Sequence, residues 1–94
     1  MVSQRLPPTG DIKEDVQRAS AWAIYNTNDA EDAEKAGCYY CCRIFYPDAI
    51  EEWADHGQTV LCPHCGIDSV LFDNSGFPLE TSFLQALHKH WFGR

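Results

Sequence analysis

Four of the five cysteines fall in two Cys-x2-Cys pairs, Cys38 with Cys41 and Cys62 with Cys65, and twenty residues separate the pairs. Two thiolates spaced by two residues can wrap one ion in a tight turn, with backbone N–H groups aimed at the sulfurs. Two such turns brought together supply four ligands at about 2.3 Å in a tetrahedron. Gly66, directly after the second pair, permits the positive φ that these turns use. The pattern predicts one structural zinc ion on Cys38, Cys41, Cys62 and Cys65, with no position left open for substrate. An iron centre of rubredoxin type would use the same ligands. A dithiol oxidoreductase normally carries one such pair at the start of a helix, and two facing pairs argue against that chemistry.

A staple of this kind suits the length. Ninety-four residues make one domain, and a domain that small buries a modest core. Hydrophobic residues reach 45%, which is a globular composition and not a disordered one. Charges interrupt the apolar side chains everywhere, and no run nears the roughly 18 residues of a membrane span. The stretch Met1-Val2-Ser3-Gln4-Arg5-Leu6-Pro7-Pro8 lacks the apolar core of a secretion signal, so the expected location is cytoplasmic. A reducing compartment favours metal ligation over disulfides, and an odd cysteine count fits a disulfide framework poorly.

Fourteen acidic against seven basic residues give a formal net charge of −7. Four thiolates and one dication would bring it to about −9. Such a surface repels phosphate backbones and attracts basic partners.

Along the chain, Pro7-Pro8 and Gly10 predict a flexible lead-in over residues 1–10, followed by a single zinc-stabilised domain over residues 11–94. Asp11 with Glu14 reads as a capping box. Ile12, Val16, Ala19, Ala23 and Ile24 recur at helical spacing and predict an amphipathic helix over residues 12–25. A short acidic helix is expected over residues 29–36, stopped by Gly37, which completes N-terminal helices within residues 11–36. The zinc-binding centre spans residues 37–72. Within it Pro47 reads as the start of a helix with Ile50, Trp53 and Ala54 inward and Gly57 as its stop. Residues 58–61 and 67–72 read as strands of a short hairpin. A C-terminal helix is expected within residues 77–92, from about residue 79, on Leu79, Phe83, Leu84, Leu87 and Trp91. The fold class is α+β: a small zinc-ribbon-like centre, two knuckles and a short β-hairpin, with flanking α-helices.

Cys62-Pro63-His64-Cys65-Gly66 resembles the second knuckle of zinc-ribbon proteins. With Gly37-Cys38-Tyr39-Tyr40-Cys41-Cys42, Glu52-Trp53 and the run from Leu61 to Leu71, the stretch over about residues 37–92 is similar to small bacterial proteins described only as cytoplasmic or hypothetical. That resemblance implies the metal site and no established activity. The helix expected between the knuckles departs from a plain ribbon.

Other residues carry weaker signals. Cys42 reads as a small buried thiol, with an exchange ligand or redox sensor as alternatives. His64 is a candidate replacement ligand, although the middle residues of a knuckle usually face solvent. Asp55-His56 invites a general-base or nuclease reading, but a metal-assisted nuclease would need more ligands and a basic groove, so His56 reads as a helix-terminal histidine. His88 and His90, two apart on a helix, cannot share a face. Most aromatics read as core, with Tyr39, Tyr40 and Phe92 as candidate exposed anchors for a partner.

The expected function is non-enzymatic: an acidic protein-binding module, such as an adaptor or an inhibitor covering a basic surface. The immunity protein of a bacterial toxin is one concrete form. The competing readings are a nucleic-acid-associated zinc-ribbon regulator, which the charge disfavours, and a metalloenzyme using His56 or His88.

Overall fold

A computed structural model describes residues 5–93. Seven regular elements build it: α1 (Ile12–Ala19), β1 (Ala36–Cys38), β2 (Ile44–Phe45), β3 (Trp53–Ala54), β4 (Thr59–Val60), β5 (Val70–Phe72) and α2 (Thr81–Trp91). The two helices and two small antiparallel sheets make an α+β fold. One sheet has the order β2-β1-β5; the other is the β3-β4 hairpin.

The three-stranded sheet divides the core. Ala36 pairs with Phe45 on one side and Phe72 on the other, and Cys38 pairs with Val70. Side chains alternate across a strand, so Leu71 joins the cluster of Val16, Ala19, Phe83, Leu84 and Leu87 beneath the helices. Its neighbours Val70 and Phe72 join Ala36, Cys38, Phe45, Ile50, Val60 and Cys62 on the opposite face. Both faces are covered, and every residue of β1 and β5 is buried. Gly37, expected as a helix stop, lies in the middle of β1. A Cβ there would meet Leu84 Cδ1 at 3.0 Å, so the glycine lets the sheet approach α2 closely.

The first helix is shorter than its periodicity predicts. Asp11 caps it by accepting from the Lys13 N–H at 3.2 Å, while the Asp11 N–H is taken by the Thr9 hydroxyl at 3.0 Å, in the role expected of Glu14. Glu14 lies 3.5 Å from Arg18 instead. After Ala19 the chain tightens into a 3-10 turn, Ser20–Ala23, and becomes extended at Ile24. Contacts distant in sequence set that end: the Tyr25 N–H donates to Thr59 Oγ1 at 2.9 Å, and Asn26 is drawn wholly inside. The C-terminal helix, by contrast, forms within its expected bounds and is fastened to α1 by a 2.7 Å bond from Trp91 Nε1 to the Val16 carbonyl.

The expected lead-in falls partly outside the described residues. Residues 5–10 form no helix or strand, yet they are tied down: Arg5 pairs with Asp29 at 3.0 Å, Trp22 Nε1 donates to the Leu6 carbonyl at 3.0 Å, and Thr9 and Gly10 donate to Asp15. Burial opposes ionisation of Asp15, but the bonds from Thr9 and Gly10 and the charge of Arg18 outweigh it and hold the carboxyl below its ordinary value.

Two further helices expected from the sequence are absent among the described residues. Residues 29–36 hold only the 3-10 turn Asn28–Glu31 before the chain enters β1. Between the cysteine pairs, Pro47 opens a single turn, Pro47–Ala49, and β3 and β4 follow as a hairpin with Trp53 opposite Val60. Asp55, His56 and Gly57 all have positive φ in its turn, which Asp and His tolerate better than most residues. The expected inward stripe is only part right: Ile50 is buried, whereas Trp53 is 46% exposed. Strand geometry explains it: Trp53 shares the face of its fully buried cross-strand partner Val60, but its ring lies over an open groove and is only half covered.

Candidate metal centre

The first cysteine pair occupies the turn that joins β1 to β2, and the second occupies the loop between β4 and β5. Both turns close the same way. The Cys38 N–H donates to the Arg43 carbonyl at 3.0 Å, and the Cys62 N–H donates to the Ile67 carbonyl at 3.0 Å. In each turn an N–H two residues on points back at the first sulfur: Tyr40 N to Cys38 Sγ at 3.3 Å, and His64 N to Cys62 Sγ at 3.4 Å.

The residue after each second cysteine has left-handed backbone, Cys42 at φ 63° and Gly66 at φ 78°. Gly66 adopts this freely; Cys42 carries a Cβ and is strained. The fifth cysteine therefore occupies the turn's glycine position, a role that its adjacency to Cys41 did not reveal. The signal was the match of Cys38-x2-Cys41-Cys42 to Cys62-x2-Cys65-Gly66. Its side chain is half-buried against the helical cluster, and burial with the nearby Cys38 charge pushes its thiol up.

The structure brings the four paired cysteines together, their sulfurs all within 4.8 Å of one another. Cys38 Sγ lies 3.6 Å from Cys65 Sγ, and Cys41 Sγ lies 3.7 Å from Cys62 Sγ. A disulfide would need about 2.05 Å. A tetrahedron of thiolates about 2.3 Å from a central ion has edges of about 3.8 Å. All five cysteines are free thiols, and the donor set fits a metal ion.

Electrostatics point the same way. Burial opposes charge on Cys38, yet the Ser69 hydroxyl at 3.2 Å and the N–H groups of Cys41 and Tyr40 outweigh it, and its thiol lies below the ordinary value. Burial, with the neighbouring Cys38 charge, pushes Cys41 up to about 11 and raises Cys65 as well. One thiolate is welcome in this cluster without a metal, and further ones repel each other. A cation at the centre removes that conflict. Ser69, fully buried beside Cys38, was not foreseen; nothing local marks it, because it reaches the site only when β5 pairs with β1.

No histidine belongs to the cysteine group among the described residues. His64 is exposed; its Nδ1 lies 3.4 Å from Arg43 Nη1 and its ring sits edge-on to Phe45. An arginine can only donate, so Nδ1 accepts there. His56 is exposed in the β3-β4 turn and not at a helix end, while the adjacent Asp55 accepts from the Thr59 hydroxyl at 2.8 Å. His88 donates Nδ1–H to the Tyr39 carbonyl at 3.2 Å and packs against Tyr40 and Phe92. His90 is exposed and packs edge-on against Trp91. Of the expected aromatic anchors, Tyr40 and Phe92 are exposed, but Tyr39 is buried between the sheet and α2; Tyr46 and Trp53 are exposed instead. No helix among the described residues is long and apolar enough to cross a membrane.

Comparison with protein-family models, with curated proteins and with solved structures finds no match to this chain.

Proposed function

We propose that Cys38, Cys41, Cys62 and Cys65 hold one structural zinc ion, and that the domain so stabilised is a non-enzymatic module that binds a basic protein surface. The observation that carries the zinc reading is the convergence of four sulfurs with edges of 3.6 and 3.7 Å, near the thiolate tetrahedron that zinc prefers. Four thiolates complete a tetrahedral sphere, so the ion supplies folding energy and not a site for water or substrate. The turns on either side then become one body, which is what makes a centre of such short strands possible.

The binding half of the proposal rests on charge. A net −7 before metal loading, with exposed aromatic side chains at Tyr40, Tyr46, Trp53 and Phe92, suits a basic protein better than a phosphate backbone. An inhibitor covering the basic surface of a bacterial toxin is one specific form of this function.

Elemental analysis of protein purified without chelator tests the first half, with about one zinc per chain expected; a red, iron-loaded protein or a metal-free folded one would refute it. Affinity capture from the native host, read by mass spectrometry, tests the second. A basic protein released by salt is expected. Recovery of nucleic acid in place of protein, seen also as a gel shift, would replace this reading with that of a transcription-associated ribbon.

A further inference from the structure

A groove of about 550 Å³ opens between the turn Asn28–Glu31 and the β3-β4 hairpin. Its floor is apolar, with Ile50 and Val60 both buried. Two aromatic side chains line it while staying largely open to solvent, Tyr46 at 66% and Trp53 at 46% exposure. Glu31, Glu34 and Asp48 are the charged residues of the lining, which holds no lysine, arginine or histidine. None of the three carboxylates enters an ion pair among the described residues.

The combination selects a chemistry. Exposed aromatic faces in an acidic setting attract cations, and the electrostatic gain grows where the surroundings exclude water. A guanidinium is weakly hydrated, flat enough to stack on a ring, and forked to match a carboxylate; an ammonium is more strongly hydrated and gains less from stacking. An anionic ligand would meet three carboxylates with no counter-charge in the groove. The volume falls in the range of about 300–1,000 Å³ typical of ligand pockets, enough for a side chain and its flanking backbone.

We propose that this groove takes an arginine-bearing segment of a protein partner, the guanidinium stacking on Tyr46 and Trp53 and pairing with Glu31, Glu34 and Asp48. This rests on the reading of the protein as a binder of basic surfaces and assigns the place where that binding centres.

The test is a titration of the isotope-labelled, metal-loaded full chain with the blocked peptide Gly-Gly-Arg-Gly-Gly and its lysine counterpart, followed by amide and indole chemical shifts. Saturable shifts confined to the groove residues, including the Trp53 indole, are expected. Binding should weaken about threefold or more with the lysine peptide, and about tenfold in 0.5 M salt. Trp53→Ala and Tyr46→Ala should each weaken it about fivefold or more. Glu34→Gln should weaken it while leaving the fold, checked by metal content and amide dispersion, unchanged.

Shifts spread evenly over the acidic surface, binding indifferent to both aromatic substitutions, or no saturation would overturn the proposal. Preference for a mononucleotide over the arginine peptide would do the same. The two readings fail separately. A host partner that still binds Trp53→Ala protein sinks the groove and keeps the binding module. Peptide binding here with no protein partner recovered sinks the module alone.

Discussion

Asn26 is wholly buried, and its amide spans two strands that do not pair with each other. The side-chain oxygen accepts from the Val60 N–H of β4 at 3.1 Å, and the side-chain nitrogen donates to the Val70 carbonyl of β5 at 2.9 Å. It stands in for a direct ladder between the hairpin and the three-stranded sheet. Replacing it with alanine leaves one buried N–H and one buried carbonyl without partners. Each orphaned group costs about 1–3 kcal/mol, so the substitution should cost about 2–6 kcal/mol. A domain of this size has about 5–15 kcal/mol in total. The thermal midpoint should therefore fall by at least about 8 °C, since about 1 kcal/mol shifts a small domain by roughly 4–8 °C.

The assay is urea and thermal unfolding of the metal-loaded protein, with metal content confirmed equal in both variants. Asn26→Asp supplies the control. Its carboxylate can still accept from Val60 but faces the Val70 carbonyl with no proton to donate. Burial and that carbonyl raise its folded-state pKa, so its contribution is lost as pH rises through that value and recovered as pH falls. The deficit of Asn26→Asp relative to wild type should narrow from pH 8 towards pH 5.5, while that of Asn26→Ala should not. A loss below about 1 kcal/mol for Asn26→Ala would show that water or rearranged backbone satisfies those groups, and the bridging argument would fail.

Removing the metal with a strong chelator, or a ligand through Cys62→Ala, should abolish cooperative unfolding, because metal ligation at such sites contributes about 10–16 kcal/mol; a sigmoidal melt without metal would contradict this. Ser69→Ala should weaken metal binding about tenfold or more through loss of the bond to Cys38 Sγ, as measured by competition with a chromogenic chelator, and an unchanged affinity would remove Ser69 from the site. Cys42→Gly should retain one ion per chain without loss of stability, since glycine relieves the left-handed strain, whereas Gly66→Ala should cost about 1–2 kcal/mol; loss of metal from Cys42→Gly would make Cys42 a ligand after all. Metal loading near pH 7 should release protons, because burial holds Cys41 up to about 11 and raises Cys65, so affinity should climb with pH. Calorimetry in buffers of different ionisation enthalpy would measure the proton count, and no release would show the thiols already ionised.

The cysteine turns were legible in the chain because their cause is local, whereas their meeting, Cys38 with Cys65 and Cys41 with Cys62, is a contact across more than twenty residues. Two residues between thiols, and a left-handed residue after them, shape each turn wherever it is placed. The C-terminal helix was legible for the same reason, its apolar stripe running over three turns without a competitor. Where the readings went wrong, long-range partners won. Ala23 and Ile24 continue the helical stripe of α1, but Asn26 gains more by entering the core to bridge Val60 and Val70, 34 and 44 residues away, and the helix ends early to let it. Pro47 and its following acids look like a helix start, yet Trp53 and Ala54 pair with Val60 and Thr59 across a turn whose three left-handed residues no periodicity reports. The apolar run of Val70, Leu71 and Phe72 reads as a strand, but the hairpin expected between it and residues 58–61 does not form: β5 pairs with β1 and β4 with β3, and only that pairing brings Ser69 to Cys38. Sequence determined the ligand turns because their geometry closes within a few residues; tertiary structure decided everything that a backbone group gains only from a partner far along the chain.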